Sequence, residues 1–239
     1  MGYRDVVLAD RPSYYYRLGD SNGSTVMRDE TRTGDGTHNA GTNPGQFALL
    51  PADASRSTAI NSGSTHGSTS TGVGAIVASG TWSIEAWVRL TSIDGAGYAA
   101  ILGCSVPGVA NGFLMNFTSS LARLAYENTG SNSITGSASI VADRKVHHVV
   151  GTRSSSGVFL YVDGTQVATT ATPGTAGACT GQAAIVGAYQ ATSSTGVWDG
   201  WISDLAIYSN QLSTAQVQLH YRGGVFGVRP STRRHRITA

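Results

Sequence analysis

The chain is read as an all-β protein with one large domain, and three observations predict this. Its apolar runs are short and alternate with strand period, glycine and hydroxyl residues cluster between them, and charge is sparse. The 239 residues include 31 glycines, 40% are apolar and only 13% are charged. Such a chain makes many short strands joined by tight turns and still has enough apolar surface for a core. A sandwich or barrel of about 200–250 residues forms without splitting into domains, so 1–222 is taken as one body and 223–239 as a C-terminal tail.

The elements follow in order. Tyr3–Ala9 is expected to form a short helical turn, and Asp10-Arg-Pro a turn into "SYYYRL", whose alternation puts Tyr14, Tyr16 and Leu18 on one face. Residues 20–75 read mostly as loop, but a loop of that length inside a compact domain implies two or three short strands within it. "TWSIEAWVRL" is the clearest strand. Trp82, Ile84, Ala86, Val88 and Leu90 point one way, into the core, and Ser83, Glu85, Trp87 and Arg89 the other. "YAAILGCSV", "GFLMNFTSSLARLAYEN", "AAIVGAYQA" and "WDGWISDLAIY" supply further strands. A single helix is expected at "LSTAQVQLHYR", where Ser213 and Gln216 have capping-box spacing and Val217, Leu219 and Tyr221 are available for docking.

"VHHVVGTRSSSGVFLYVDGTQVAT" reads as strand, turn, strand, two-residue turn, strand. Asp163-Gly164 marks the second turn, because a type I′ turn needs positive φ at both central positions. In a strand, His147 and His148 must face opposite ways, so they cannot both aim at one metal ion or one substrate atom. Val158, Leu160 and Val162 are expected to be buried.

The formal net charge of +2 is unevenly placed. Residues 222–239 hold Arg222, Arg229, Arg233, Arg234 and Arg236 and no acid, leaving 11 basic and 14 acidic residues, a net −3, in the rest. No run approaches the roughly 18–20 apolar residues of a membrane span, and "MGYRDVVLADRPSYYYRLGD" lacks the apolar segment of an export signal. Cytoplasmic synthesis is therefore expected. Cys104 and Cys179 permit one disulfide, with idle buried thiols as the default in a reducing compartment. The sequons at Asn22 and Asn116 carry little weight for the same reason.

Taken together, "SYYYRLGD", "VMRDETRTGDGTHNAGT", "TWSIEAWVRL", the His-His-Val hairpin ending in Asp-Gly, and "WDGWISDLAIYSNQLSTAQVQLHY" resemble, in order, the motifs of the laminin-G-like branch of the concanavalin A-like lectin/glucanase superfamily. The resemblance implies a two-sheet antiparallel jelly-roll sandwich with a short C-terminal helix and a basic tail. "YRDVVLADRPSYYYRLGD" also resembles the start of such domains in tailed-phage structural proteins. That implies a virion protein, a capsid decoration or tail appendage assembled in the host cytoplasm, that contacts other virion proteins and host-surface glycans and self-associates. A free-standing carbohydrate-binding module is the alternative. No membrane partner is expected, nor a nucleic-acid one.

Hydrolysis by a retaining glucanase takes two carboxylates about 5.5 Å apart, commonly on alternate residues of one strand. Glu30, Glu85 and Glu127 are isolated, and Glu85 is followed on its face by Trp87 and Arg89 instead of a second acid, so no enzyme is expected. Sugar binding needs an aromatic platform beside hydrogen-bonding groups. Glu85, Trp87 and Arg89 are the candidates on a concave face, with Tyr98, Tyr189, Trp198 and Trp201 near loops. The competing expectation is that Trp87 merely covers its sheet and that Trp198 and Trp201 pack under the closing helix. The resemblance further implies a structural Ca²⁺ held by Asp29 and Asp204, with Asp20 or Asp35, and backbone carbonyls completing the shell. Arg229, Arg233, Arg234 and Arg236 are expected to dock the tail on a partner's carboxylates.

Overall fold

The computed structural model describes residues 2–60, 66–93, 97–105, 112–118, 121–127, 132–139, 143–171, 176–191 and 196–227, with backbone alone for 121–127 and 132–139. Two antiparallel sheets pack face to face. The first contains β1 (Tyr14–Tyr16), β4 (Thr58–Ile60), β6 (Trp82–Ser92), β11 (Val146–Ser154), β12 (Gly157–Val162), β13 (Thr165–Thr170) and β15 (Asp199–Tyr208). Their order is β1-β15-β6-β11-β12-β13, with β4 also paired to β15. The second contains β2 (Val26–Met27), β3 (Gly36–His38), β5 (Gly67–Ser68), β7 (Tyr98–Cys104), β8 (Gly112–Thr118), β9 (Leu121–Glu127), β10 (Asn132–Ser139) and β14 (Ile185–Val186). Its order is β10-β9-β8-β7-β14-β5-β3-β2. Non-consecutive neighbours in both sheets give the jelly-roll crossing that the sequence implied.

Strand period places the main core. Trp82, Ile84, Ala86, Val88 and Leu90 of β6 enter it together with Ile101, Phe113, Met115 and Phe117 of the opposite sheet. Trp82 meets Phe113 edge-on at 5.4 Å between ring centroids, a preferred aromatic geometry. Val158, Leu160 and Val162 are buried in the same core. The turn at Asp163-Gly164 has φ of 50° and 75°, the positive pair a type I′ hairpin requires.

A second, smaller core lies on the far side of the first sheet. There α1 (Tyr3–Ala9) and α3 (Thr214–Phe226) cover Tyr15, Trp87, Val150, Tyr161 and Tyr208, with Tyr3, Val7 and Val217 pointing down from the helices. The α3 N-terminus is the expected capping box: the Ser213 hydroxyl accepts from the Gln216 N–H, and the Gln216 carboxamide oxygen accepts from the Ser213 N–H.

Three expectations are corrected. The helix does not end at Arg222 but runs to Phe226, so residues 223–226 belong to the folded body and not to a tail. The reason is packing, since Gly224 lies so close to Trp87 that a Cβ there would stand 2.2 Å from the ring's Cζ2. Leu219 does not dock but is 43% exposed; Val217, His220 and Tyr221 form the inner face. Within 20–75 the short strands β2 to β5 are present, but a further helix, α2 (Gly72–Val77), follows and sends Val73 and Val77 into the main core. Residues 228–239, with the four tail arginines, lie outside the described residues.

Candidate functional site

Among the described residues, the side chains that the sequence put forward are placed as follows. Glu85 projects from β6 to the helix-covered side and is fully buried. His148 Nε2 stands 2.9 Å from its Oε2, His220 Nδ1 stands 3.0 Å from both oxygens, and the Tyr208 hydroxyl donates to Oε1. His220 Nε2 continues the chain to Asp10 Oδ2 at 2.9 Å. Burial pushes the Glu85 carboxyl upward, but His220 and His148 beside it outweigh this and hold it well below the usual carboxylate range. Burial likewise pushes His220 down, and Glu85 and Asp10 on its two ring nitrogens outweigh it and raise it. Trp87 fills the space next to this chain, stacked on His148 at 4.8 Å and on Tyr221 at 5.9 Å.

The platform of Glu85, Trp87 and Arg89 is therefore corrected. Glu85 and Trp87 are 0% and 2% exposed because two helices lie on the face that the sequence left open. Arg89 sits at the rim, its guanidinium 5.0 Å from the Trp201 ring and 5.6 Å from that of Phe47, its Nε donating to the Arg144 carbonyl. Trp198 is corrected as well: it is fully buried in the main core, 5.7 Å from Phe117. Trp201 is half-buried beside Phe47 at the margin of the second core. The packing alternative describes Trp87; Trp198 packs in the main core and not under the closing helix. His147 faces away from His148, as a strand demands, and lies 2.7 Å from Asp163 Oδ2.

Tyr98 and Tyr189 do come together, on the outer face of the second sheet. In β8, Phe113, Met115 and Phe117 point into the core, so Leu114 and Asn116 point outward. Tyr98 and Tyr189 pack half-buried against Leu114 and Ala100 on that outer face. Two glycines make the seats. Gly103 lies beneath the chain at Ala188–Tyr189, where a Cβ would stand 2.3 Å from the Tyr189 carbonyl oxygen. Gly196, at φ 66°, lies against the Tyr98 ring, where a Cβ would stand 2.1 Å from Cε2. Asn116 is beside Ala100 in register and is 1% exposed, yet neither its amide nitrogen nor its amide oxygen has a hydrogen-bond partner among the described residues. An unpaired buried amide costs about 1–3 kcal/mol. Sequence reading passed over Asn116 as part of a sequon; the available signal was a polar residue out of phase with three core aromatics and methionine in one strand.

The carboxylates expected to hold calcium are each engaged by the chain's own donors. Asp29 accepts from the Tyr15 and Thr31 N–H groups on Oδ1, and from the Thr31 hydroxyl and the Thr33 and Gly34 N–H groups on Oδ2. It closes its own loop. Asp35 accepts from the Asp29 N–H, and Asp20 lies 2.8 Å from His38 Nε2. Asp204 accepts from the Tyr15 hydroxyl and Arg17 Nε on Oδ1. Burial pushes its carboxyl up to about 6, against the pull of Arg17. Among the described residues no group of three or more His, Cys, Asp or Glu side chains gathers as a metal site. No described helix is long and apolar enough to cross a membrane.

A family model of the Concanavalin A-like lectin/glucanases superfamily matches residues 61–218. The chain belongs to that superfamily. No curated protein matches it by sequence. Among solved structures it is similar to Domain 4 of AbnA, a GH43 extracellular arabinanase from Geobacillus stearothermophilus, in complex with arabinotriose. The TM-score is 0.67 and the identity 16%, over 88% of this chain and 98% of that one. It is also similar to the Ruminococcus gnavus IT-sialidase CBM40 bound to α2,3 sialyllactose, with TM-score 0.57 and 16% identity over 68% of this chain and 95% of that one. The botulinum neurotoxin type G receptor binding domain matches with TM-score 0.59 and 14% identity, over 88% of this chain and 51% of that one.

Proposed function

We propose that the chain is a non-catalytic carbohydrate-binding module whose ligand sits on the outer face of the second sheet, over Tyr98, Leu114, Asn116 and Tyr189. The observation that carries this reading is Asn116. An amide held at 1% exposure with neither its donor nor its acceptor paired among the described residues is a stability cost that a hydroxyl-rich ligand would remove on parting the side chains above it. A sugar suits it, since each hydroxyl both donates and accepts, and the flanking tyrosines offer apolar faces for the ring C–H groups. The sugar complexes of two similar structures support a module over placement on a phage virion, which rests on the resemblance of residues 3–20. Glu85 takes no part, because its oxygens are bound by His148, His220 and Tyr208 under the helices.

The test is calorimetric titration of the full chain with a panel that includes arabino-oligosaccharides and sialyllactose, repeated with Asn116→Ala and Tyr189→Ala. Both variants are expected to weaken binding at least about tenfold, the loss of one to two hydrogen bonds or of a stacking face. Asn116→Ala should melt no lower than the natural chain, since it breaks no hydrogen bond. Sugar binding at unchanged affinity in both variants, or no binding to any of a broad glycan panel, overturns the reading.

A further inference from the structure

We propose that Cys104 and Cys179 join in an intrachain disulfide that staples β7 to the turn before β14. The two residues are 75 apart in sequence, and both are fully buried. Cys179 Sγ lies 3.0 Å from the Cys104 carbonyl oxygen, and Cys104 Sγ 4.0 Å from the Cys179 carbonyl oxygen. Each sulfur thus rests on the other residue's backbone, so the two side chains share one pocket. The chain paths also converge there independently of sulfur. Cys104 ends β7, while Cys179 ends a single 3-10 turn, Gly177–Cys179, that leads into β14, and β14 pairs with β7 through Ile185 and Gly103.

Burial alone would make these thiols inert in the finished fold, and hydrogen bonding to the Cys104 thiol, followed by burial, raises Cys179 far above the ordinary thiol range. The pair is therefore a structural staple, not an exchanging catalytic couple. Gly177 and Thr180 on either side of Cys179 are exposed, so fraying of this one turn brings its sulfur to the surface. The oxidant is a low-molecular-weight disulfide such as oxidised glutathione. One protein thiolate attacks it and releases one thiol, and the second protein thiolate then displaces the other. The protein loses two electrons and two protons, and the reagent leaves as two reduced thiols.

Because the bond closes a loop running from the end of β7 through β8 to β13, it removes much freedom from the unfolded chain and little from the folded one. It also pins the strand that carries Tyr98 against the segment that leads to Tyr189, but the inference stands without the sugar-binding reading.

The experiment incubates the reduced full chain with oxidised glutathione, blocks remaining thiols in denaturant and measures intact mass and a peptide map. The expected result is loss of two hydrogens, no glutathione adduct, no free thiol and a linked pair of peptides holding Cys104 and Cys179. The oxidised chain should melt about 5–10 °C above the reduced one. Cys179→Ser should show a single glutathione adduct at Cys104 after oxidation in denaturant, and its melting temperature should not rise on treatment of the folded chain with oxidised glutathione. Two titratable thiols after oxidation, glutathione on both cysteines, or chains linked to each other would each overturn the proposal.

Discussion

At the scale of single residues, the decisive group is Glu85. In sequence it is an isolated acid on the polar side of a strand; in space it is the hub between His148, His220 and Tyr208. Removing one partner of a buried ionic network leaves an uncompensated charge, so Glu85→Gln and His220→Ala should each cost about 3–5 kcal/mol in denaturant unfolding. The pH dependence follows from the two shifts. Glu85 is held low, so its contribution is present above about pH 4.3 and is lost as the pH falls through its folded value. His220 is held high, so its contribution is complete below about pH 6.5 and is lost as the pH rises through its raised folded value. Stability should therefore be greatest between these limits. His147 is also raised, by Asp163 and Asp143 against burial, and adds to the alkaline limb. The comparison that isolates His220 is the natural chain against His220→Gln: the variant should lose less stability between pH 6.5 and 8.5, and parallel curves would refute the assignment. None of this network was legible in the sequence, since His148, Tyr208 and His220 lie 63, 123 and 135 residues from Glu85, and strand pairing brings the first two to it while the closing helix brings the third.

Elements divide into those that local pattern determines and those that contact determines. The strands and turns of β11-β12-β13 were legible, because alternation, a serine-rich turn and Asp163-Gly164 all agree, but the register shift between Leu160 and Tyr161 was not. The start of α3 was legible too, through Ser213 and Gln216. Its end was not legible. Two glycines normally stop a helix, and each costs about 1 kcal/mol in one, yet α3 continues through Gly223 and Gly224. Contact with Trp87 repays that cost by burying an indole against bare backbone. Gly224→Val makes the balance measurable. Helix propensity alone predicts a gain, but a Cβ 2.2 Å from the Trp87 ring must push α3 away, and overpacking of this kind costs about 1–3 kcal/mol. The expected outcome is a lower denaturant midpoint with red-shifted tryptophan emission; a rise in midpoint would show that α3 tolerates the displacement. For α2 the only local signal was Val73 and Val77 at helical spacing, too short a run to separate from loop.

Across the whole molecule, β6 and β15 serve two cores at once, one between the sheets and one beneath α1 and α3. The loops are closed by the chain's own donors, with Asp29 binding backbone from Tyr15 to Gly34. A fold closed in this way is expected to melt at the same temperature in excess chelator and in millimolar calcium. A calcium-dependent rise of several degrees would support Asp204, whose Oδ2 has no hydrogen-bond partner among the described residues, as a ligand.

The sequence by itself determined the all-β class, the main-core face of β6, the opposed histidines, the hairpin turns and the helix cap. All of these follow from interactions within a strand, a turn or one helical turn, where residue order is already geometry. Only the tertiary structure decided which strand face stays open. Period two states that Glu85 and Trp87 lie opposite Ile84 and Ala86, but not that helices from the two chain ends will cover them. It places Asn116 outward from β8, but not buried and unpaired beside Tyr98 and Tyr189. Burial of a polar face depends on what other segments, far away in sequence, are laid upon it, and alternation within one strand contains no information about that.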